Sequence, residues 1–594
     1  MKIESREYKL RDFIKIPFAI SPGLASLRMI DKIIYALIPA LQVLATANFI
    51  DAATGIFNGQ VEGSKIIFPL VCILLLIAHQ YITFALMDLV KSKMDINLTE
   101  AFRTAVVEKR AMLEYRHVEN NDTWDLIERV GKDPAVRLGG GFDILLRMGD
   151  MVIRISSVLL ILVAQVWWVA LVIMCFSVPL LLLAVKSGKA HYDTSKEAAK
   201  HTRRAQYLQS VLTGRDNVEE RSLFGYTDAL NRRYYEKYLA AYQINMKAQR
   251  KRYIRQKTAS LITLLLSVLI AGVLIAPLGS GEISVGMFMG FVTATFGLVQ
   301  MLSWELTYIT GELANNREYL RDLSSFANLS ETAGAADKPV FKGIEPQYIE
   351  FCNVSFAYPE TEGLILKNLN LKLYTKKHYA FVGVNGAGKT TITKLLTGLY
   401  DNYTGDILID GKNLRDFTQA ELKAMFSIVY QDFAKYQIRL IDSIGIGNVN
   451  GVSEQDIVST IETLGLADVV SKLPKGVQTP LGKIKESGID LSGGEWQRIA
   501  IARSLISGAP IHILDEPTAA LDPVAESEVY KLYAKISKGK STIFITHRLG
   551  AARLADEIFV IEDGNVAEHG THDELISRNG IYAEMFEAQR GWYA

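Results

Sequence analysis

Gly383-Val384-Asn385-Gly386-Ala387-Gly388-Lys389-Thr390 fits the pattern G-x-x-x-x-G-K-[ST]. It follows the strand-like Tyr379-Ala380-Phe381-Val382 and precedes the helical run Thr391 to Leu399, a context that separates a phosphate-binding loop from an ordinary glycine-rich turn. The glycines let backbone N–H groups close around phosphate oxygens at a helix N-terminus. Lys389 can reach the β- and γ-phosphates, and the Thr390 hydroxyl is placed to hold Mg2+. The expected nucleotide-contacting set is Gly383, Asn385, Gly386, Ala387, Gly388, Lys389, Thr390 and Thr391. Gly139-Gly140-Gly141 has no following Lys-Thr and reads as a flexible break in a helix.

Further along, Ile511-His512-Ile513-Leu514-Asp515-Glu516 reads as a buried strand ending in two carboxylates. Asp515 is placed to organise Mg2+ through water, and Glu516, one residue beyond, to polarise an attacking water as general base. His512 interrupts an aliphatic run and reads as a satisfied or edge-facing histidine, since nothing nearby suggests a metal site. Around both motifs, residues 346–594 alternate short strand patterns with helical ones, the pattern of an α/β domain with a parallel sheet. Residues 331–345 form a mixed Ala/Gly/Pro connector before it.

The rest of the 594 residues has a different character. At about 150 residues per domain, the length corresponds to roughly four domain-sized units, so one compact core is unlikely on size alone. Hydrophobic residues make up 49% and charged residues 22%, with mean hydropathy +0.15, which excludes disordered, collagen-like and low-complexity classes. Lys plus Arg number 65 against 64 Asp plus Glu, so no overall positive field collects polyanions and no nucleic acid is expected as a partner. Cys72, Cys175 and Cys352 have no short spacing and read as small buried hydrophobes.

Charge-free runs of spanning length occur only before about residue 305: Ile33 to Ile50, Ile66 to Met87, Ile155 to Val185, Thr258 to Gly281 and Ile283 to Trp304. A bilayer-crossing helix needs roughly 20 apolar residues. Ile155 to Val185 is too long for one span and reads as two, joined by a tight turn at Gln165 to Trp168 with its paired Trp at the interface. Six spans result. An even number puts both termini on one side, and Lys2, Arg6, Lys9, Arg11, Lys15, Arg28 and Lys32 make that side cytoplasmic, because the short loops are nearly free of Lys and Arg. Glu4, Glu7 and Asp12 among the basic residues argue against a cleaved signal peptide. Phe13 to Leu27 is expected as a short helix along the membrane surface. The long charged connections Asp88 to Asp150 and Lys186 to Lys257 predict helices projecting far into the cytoplasm, with reversals at Tyr115 to Trp124 and Gly214 to Gly225. Arg250, Lys251, Arg252 and Arg255 suit contact with anionic membrane lipids.

Leu491-Ser492-Gly493-Gly494-Glu495, followed by Gln497-Arg498 and standing just before the Asp515-Glu516 strand, resembles the signature motif of ATP-binding-cassette (ABC) ATPases. Six spans ahead of one such cassette resemble an ABC exporter half-transporter of the bacterial peptide and multidrug type. The fold class implied is an α-helical membrane domain with six transmembrane helices and long cytoplasmic extensions (1–330), joined to an α/β P-loop ATPase domain (346–594). The resemblance also assigns single residues. Tyr358 would stack on adenine, and Gln431 would contact Mg2+ and the attacking water. Asp522, in Ala519-Ala520-Leu521-Asp522, would lie at the dimer seam, His547 would touch the γ-phosphate, and Glu486 would face the membrane helices. Ser492, Gly493 and Gly494 would act in trans on nucleotide held by a second half-transporter. Intact Glu516, His547 and signature make a homodimer the expected assembly, with a heterodimer as the alternative, since an intact chain can serve in either. The cofactors implied are ATP and Mg2+, and the mechanism is alternating access in the cytoplasmic membrane, with coupling helices near Tyr115 to Trp124 and Asp216 to Leu223.

Cargo is less legible. Met287, Phe288, Met289, Phe291, Phe296, Met301 and Trp304 suit an amphipathic or apolar substrate and equally suit helix packing. His79, Gln80, Gln300 and Glu305 are expected to face protein or cavity. Tyr115-Arg116-His117-Val118-Glu119-Asn120, Gln431-Asp432-Phe433 and Glu495-Trp496-Gln497 resemble stretches in exporters of lantibiotic-like or other modified peptides. A multidrug or lipid exporter is the alternative, and an ATP-gated channel or regulatory membrane protein is the reading from another class.

Overall fold

The computed structural model describes residues 1–214, 217–341, 345–484, 487–516 and 539–590. It divides into two units, Met1–Arg110 with Asp125–Leu329, and Ala111–Trp124 with Ser330–Ala594.

The first unit is helical: α1 (Asp12–Ile20), α2 (Pro22–Phe57), α3 (Ile67–Leu98) running on through a π-turn to α4 (Thr104–Met112), and, beyond α5 (Tyr115–Glu119), the helices α6 (Asn121–Gly131), α7 (Pro134–Thr213), α8 (Val218–Phe224), α9 (Thr227–Gly279) and α10 (Val285–Ala327). Helix α7 is broken at Val166, whose backbone leaves the helical region inside the stretch expected to turn. Its two arms with α2, α3, α9 and α10 give six long helices among the described residues. Three helical stretches, Pro22–Phe57, Gly63–Met112 and Pro134–Trp168, are long and apolar enough to cross a membrane. In the second of them none of the apolar window is buried, and Phe68, Leu75, Tyr81 and Phe84 point outward, as residues solvated by lipid would.

Close packing explains two glycine features. A Cβ at Gly286 would sit 2.1 Å from the Ala47 carbonyl oxygen and one at Gly290 3.0 Å from that of Val43, so this G-x-x-x-G pair lets α10 lie directly against α2. Asp51 then accepts hydrogen bonds from Ser284 Oγ (2.5 Å) and the Gly286 N–H (2.8 Å), satisfying the start of α10. The expectation of a break at Gly139-Gly140-Gly141 is corrected: all three are helical, and a Cβ at Gly141 would collide with the Phe13 ring at 2.2 Å. Gly139 and Gly141 serve helix contact, whereas a side chain at Gly140 would meet open space, and α1 packs its Phe13 and Ile16 inward. Cys72 and Cys352 are half-buried rather than core residues. The second reversal is the short helix α8, entered after Gly214 and closed by a left-handed Gly225.

The second unit contains two sheets. Strands are β1 (Tyr348–Phe356), β2 (Leu366–Tyr374), β3 (His378–Val382), β4 (Thr404–Ile409), β5 (Lys412–Asn413), β6 (Phe426–Val429), β7 (Ile511–Asp515), β8 (Ser541–Ile545), β9 (Glu557–Glu562) and β10 (Asn565–Gly570). The larger sheet has the order β10-β9-β3-β8-β7-β6, with β9, β3, β8, β7 and β6 parallel. Its strands are buried on both faces: Ile511 and Ile513 join the core under β1 and β2, whereas Leu514 joins the one around Trp496 and Ile499. The antiparallel sheet β2-β1-β4-β5 adds to the parallel architecture expected. Ala111–Trp124, which the sequence division at residue 330 keeps with the membrane helices, packs within this unit, where Leu113 bridges to Glu331.

Candidate functional site

In open parallel sheets, ligands bind beyond the carboxyl ends of the strands. Four adjacent strands end together here, with Phe381, Ile545 and Asp515 in register across β3, β8 and β7, and Val429 paired with Leu514. The chain beyond each end carries one part of the expected site: the Gly383 to Thr390 loop after β3, Thr546 and His547 after β8, Glu516 after β7 and Gln431 after β6.

The phosphate loop needs its glycines. Gly383, Gly386 and Gly388 all have positive φ, and a Cβ at Gly383 would lie 2.2 Å from the Ile561 carbonyl oxygen. The loop closes onto the helix Lys389–Leu396, with Gly388 at its N-cap. Lys389 is buried, and Nζ donates to the carbonyls of Gly383 (2.8 Å) and Val384 (3.0 Å). Burial lowers its pKa despite the nearby carboxylates of Glu516 and Asp515. Asp515 is also buried, and desolvation pushes its carboxyl up to about 6. Thr390 Oγ1 donates to Asp515 Oδ1 across 3.4 Å. Two hard oxygen donors at that spacing, beside a loop of N–H groups, fit Mg2+ with a phosphate.

Glu516 adopts a left-handed conformation (φ 46°), a strained state for a residue with a side chain, and its N–H donates to the Ile545 carbonyl at 3.0 Å. Its Oε1 lies 3.3 Å from His547 Nδ1. Gln589 was not legible as a site residue: its Nε2 donates to the His547 carbonyl, and its Oε1 accepts the Leu549 N–H (2.9 Å). No local motif points to it, because it is far along the chain on the C-terminal helix. Gln431 is exposed just past β6.

The aromatic expected to face the base is well anchored. Tyr358 Oη lies 3.0 Å from Thr391 Oγ1, and its ring meets Phe356 and Tyr400 edge-on. Ser492 forms a reciprocal capping box: Oγ accepts the Glu495 N–H (3.3 Å), and the Glu495 carboxylate accepts the Ser492 N–H (2.8 Å). Ser492 and Gly493, at the start of the Gly493–Leu505 helix, are exposed, while Trp496 Nε1 donates to Asp490 (3.1 Å) behind them. Among the described residues no hydrogen bond or ion pair joins Ser492, Gly493 or Gly494 to the phosphate loop of the same chain. Asp522 and Glu486 lie outside the described residues.

In the helical unit, Phe291 is fully buried with Val43, Leu162 and Leu274, and Met287 and Phe288 pack against that cluster, so these three serve helix packing. Met289 and Phe296 are exposed. Met301 packs beside Leu306 and Ile309. His79 and Gln80 are half-buried, and Glu305 pairs with Arg147 at 3.7 Å. The side chains of Gln300 and Trp304 lie outside the described residues.

Comparison with known proteins agrees with both units. The family model for ABC transporters matches residues 366–519, and that for the ABC transporter transmembrane region matches residues 27–302. The subtilin transport ATP-binding protein of Bacillus subtilis is 30% identical over 499 residues, covering 84% of this chain and 81% of the relative. The nisin transport ATP-binding protein of Lactococcus lactis is 28% identical over 513 residues, 84% of each chain. An ATP-dependent lipid A-core flippase of Escherichia coli is 38% identical over 243 residues, 41% of each chain. A solved bacterial Atm1-family ABC exporter with ATP bound superposes with a TM-score of 0.80 at 24% identity, covering 96% of this chain and 99% of that one, which is a likeness of fold.

Proposed function

Since the chain belongs to the ABC transporter family and joins that family's transmembrane region to its ATP-binding domain in one polypeptide, we propose that it exports an amphipathic, modified peptide across the cytoplasmic membrane. It is a multi-pass membrane protein whose ATP hydrolysis drives export. The observation that carries the peptide reading is that two peptide transport proteins match along four fifths or more of both chains, whereas lipid A-core flippases match over 41% to 52% of this chain.

We assign the chemistry as follows. Lys389 exchanges its loop carbonyls for the β- and γ-phosphate oxygens, and the loop N–H groups close around them. Thr390 and Asp515 would hold Mg2+, with Gln431 contributing from the end of β6, and the bound ion would supply neutralisation of charge on the phosphates. Glu516 takes a proton from the attacking water, and His547, paired to it, meets the γ-phosphate. Ser492, Gly493 and Gly494 present a helix N-terminus to nucleotide held by a second copy of the chain, with Asp522 at the seam between them. The basic N-terminal segment keeps both termini cytoplasmic.

The capping box makes one effect quantifiable. Ser492→Ala removes the cap and costs about 1 kcal/mol of cassette stability, read as a lower thermal midpoint. The same substitution slows turnover without weakening ATP binding to the separated monomer, because the hydroxyl serves the partner's nucleotide. Loss of monomer binding in an equilibrium titration contradicts the trans assignment.

The cargo assignment is tested by ATPase activity in proteoliposomes against a panel of modified cationic peptides, lipids and hydrophobic drugs. Saturable stimulation by peptide alone is the expected result. Stimulation by lipids or drugs alone overturns the peptide reading, and ion current without turnover supports the channel.

A further inference from the structure

The side chains around Tyr358 form a connected cluster that reaches Ala111–Trp124, and nothing in the nucleotide chemistry above uses it. Lys394 lies on the Lys389–Leu396 helix, one turn beyond Thr391. Its ammonium stands 5.2 Å from the Tyr358 ring centroid and 5.3 Å from that of Tyr115, so one cation bridges a ring of the cassette and a ring of α5. The same Nζ donates to Glu119 Oε1 at 2.6 Å. Tyr400 closes the cluster: its hydroxyl donates to Glu119 Oε2, and its ring meets those of Tyr115 and Tyr358 edge-on, each at 5.6 Å. Glu119 therefore accepts from two groups that both touch Tyr358.

From this geometry we propose that Lys394 and Glu119 are a positioning pair that sets the Tyr358 ring for adenine and ties occupancy of the base to the Tyr115–Glu119 helix. The proposal rests on the assignment of Tyr358 as the adenine platform. An ammonium 5.2 Å from the ring centroid, with the hydroxyl bonded to Thr391, fixes the plane on which a purine would stack. Any base that moves the ring then moves the cation shared with α5. Burial alone raises the Glu119 carboxyl, but the hydrogen bonds from Lys394 and Tyr400 outweigh it and hold the group below its ordinary value. Burial likewise lowers Lys394, and the bond to Glu119 together with the attraction of Tyr358, Tyr115 and Glu119 outweighs that and raises it. The pair stays ionised at neutral pH, so the link is a charged one.

The test uses the full-length chain in proteoliposomes, with ATP and ribose 5′-triphosphate as alternative substrates, which share ribose and phosphates and differ in the presence of a base. Lys394→Met is expected to raise KM for ATP about five-fold, the size of a partly desolvated cation–ring contact. The KM for the base-free triphosphate and the kcat for both substrates should change less than about two-fold, since neither phosphates nor reacting atoms are touched. Lys394→Arg restores the ATP value. Glu119→Gln, which frees the cation, reproduces the ATP effect, and the double variant is no worse than either single one, as befits a coupled pair. An equal rise in KM for ATP and ribose 5′-triphosphate, a loss confined to kcat, or additive single effects overturns the proposal. Tyr358→Leu separates the two assignments. If it leaves KM for ATP unchanged, the adenine platform itself is wrong. If it raises KM while Lys394→Met and Glu119→Gln do not, the platform stands and the positioning pair falls.

Discussion

Glu516→Gln lowers kcat for ATP hydrolysis by about 10^2 to 10^4, the usual contribution of a positioned general base, and leaves ATP binding intact. The substitution keeps the shape of the side chain and its place at the end of β7, so the left-handed backbone at this position is retained. What is lost is the carboxylate. An amide accepts no proton at neutral pH, and its contact with His547 becomes a neutral hydrogen bond in place of the pairing at 3.3 Å. The arrangement makes the loss specific to the chemical step. Lys389, the loop N–H groups and Thr390 are on β3 and the helix after it, and none hydrogen-bonds to Glu516 among the described residues. Phosphate release and retention of ATP by the variant, measured on the same preparation, separate the two effects. Unchanged turnover would remove Glu516 from the catalytic role, and loss of ATP binding would make the residue structural. Cargo-stimulated transport falls in parallel with turnover, because export is coupled to hydrolysis.

Motif residues were legible where function depends on local sequence. The phosphate loop needs glycines and Lys-Thr within eight positions and so is readable without a fold, whereas the capping box between Ser492 and Glu495 emerged from the structure. Their assembly into one place was readable indirectly, because parallel strands bring their carboxyl ends to the same edge. Six long helices followed from charge-free runs, three stretches among the described residues being long and apolar enough to cross a membrane, and the break at Val166 followed from a run too long for one span. What escaped depends on contacts distant in sequence. Tyr400 and Glu119 are 281 residues apart, and Gln589 reaches back 42 residues to His547. No periodicity encodes either contact. Gly139 to Gly141 shows the opposite error: a glycine run suggests flexibility until a neighbouring ring, here that of Phe13, is found to need the space.

His512 makes the cassette acid-sensitive. The residue interrupts β7, which lies between β8 and β6, so the edge-facing alternative is excluded and the satisfied one holds. The ring is fully buried, with Lys540 Nζ 3.4 Å from Nε2 and Ser504 Oγ 3.3 Å from Nδ1. A lysine can only donate, so Nε2 is the acceptor and the proton belongs on Nδ1. Burial, reinforced by the Lys540 charge, depresses the imidazole to about 3. In the unfolded chain it titrates near its ordinary value of about 6.5. Between these values the unfolded state binds the extra proton, so stability rises with pH there. The stabilisation is complete above about pH 6.5 and is lost progressively as pH falls towards 3, up to about 4–5 kcal/mol in all. From pH 7 to pH 5 the loss is about 2 kcal/mol, or about 4–8 °C in the midpoint of a domain this size. His512→Gln keeps a polar side chain in the strand but takes no charge in this range, so its midpoint should fall by that much less over the same pH step. Calorimetry of the full-length chain and the variant at pH 7 and pH 5 gives the comparison directly. Groups other than His512 contribute equally to both proteins and cancel in the difference. Identical shifts for the two would place the acid sensitivity elsewhere and remove the charge penalty assigned to this buried ring.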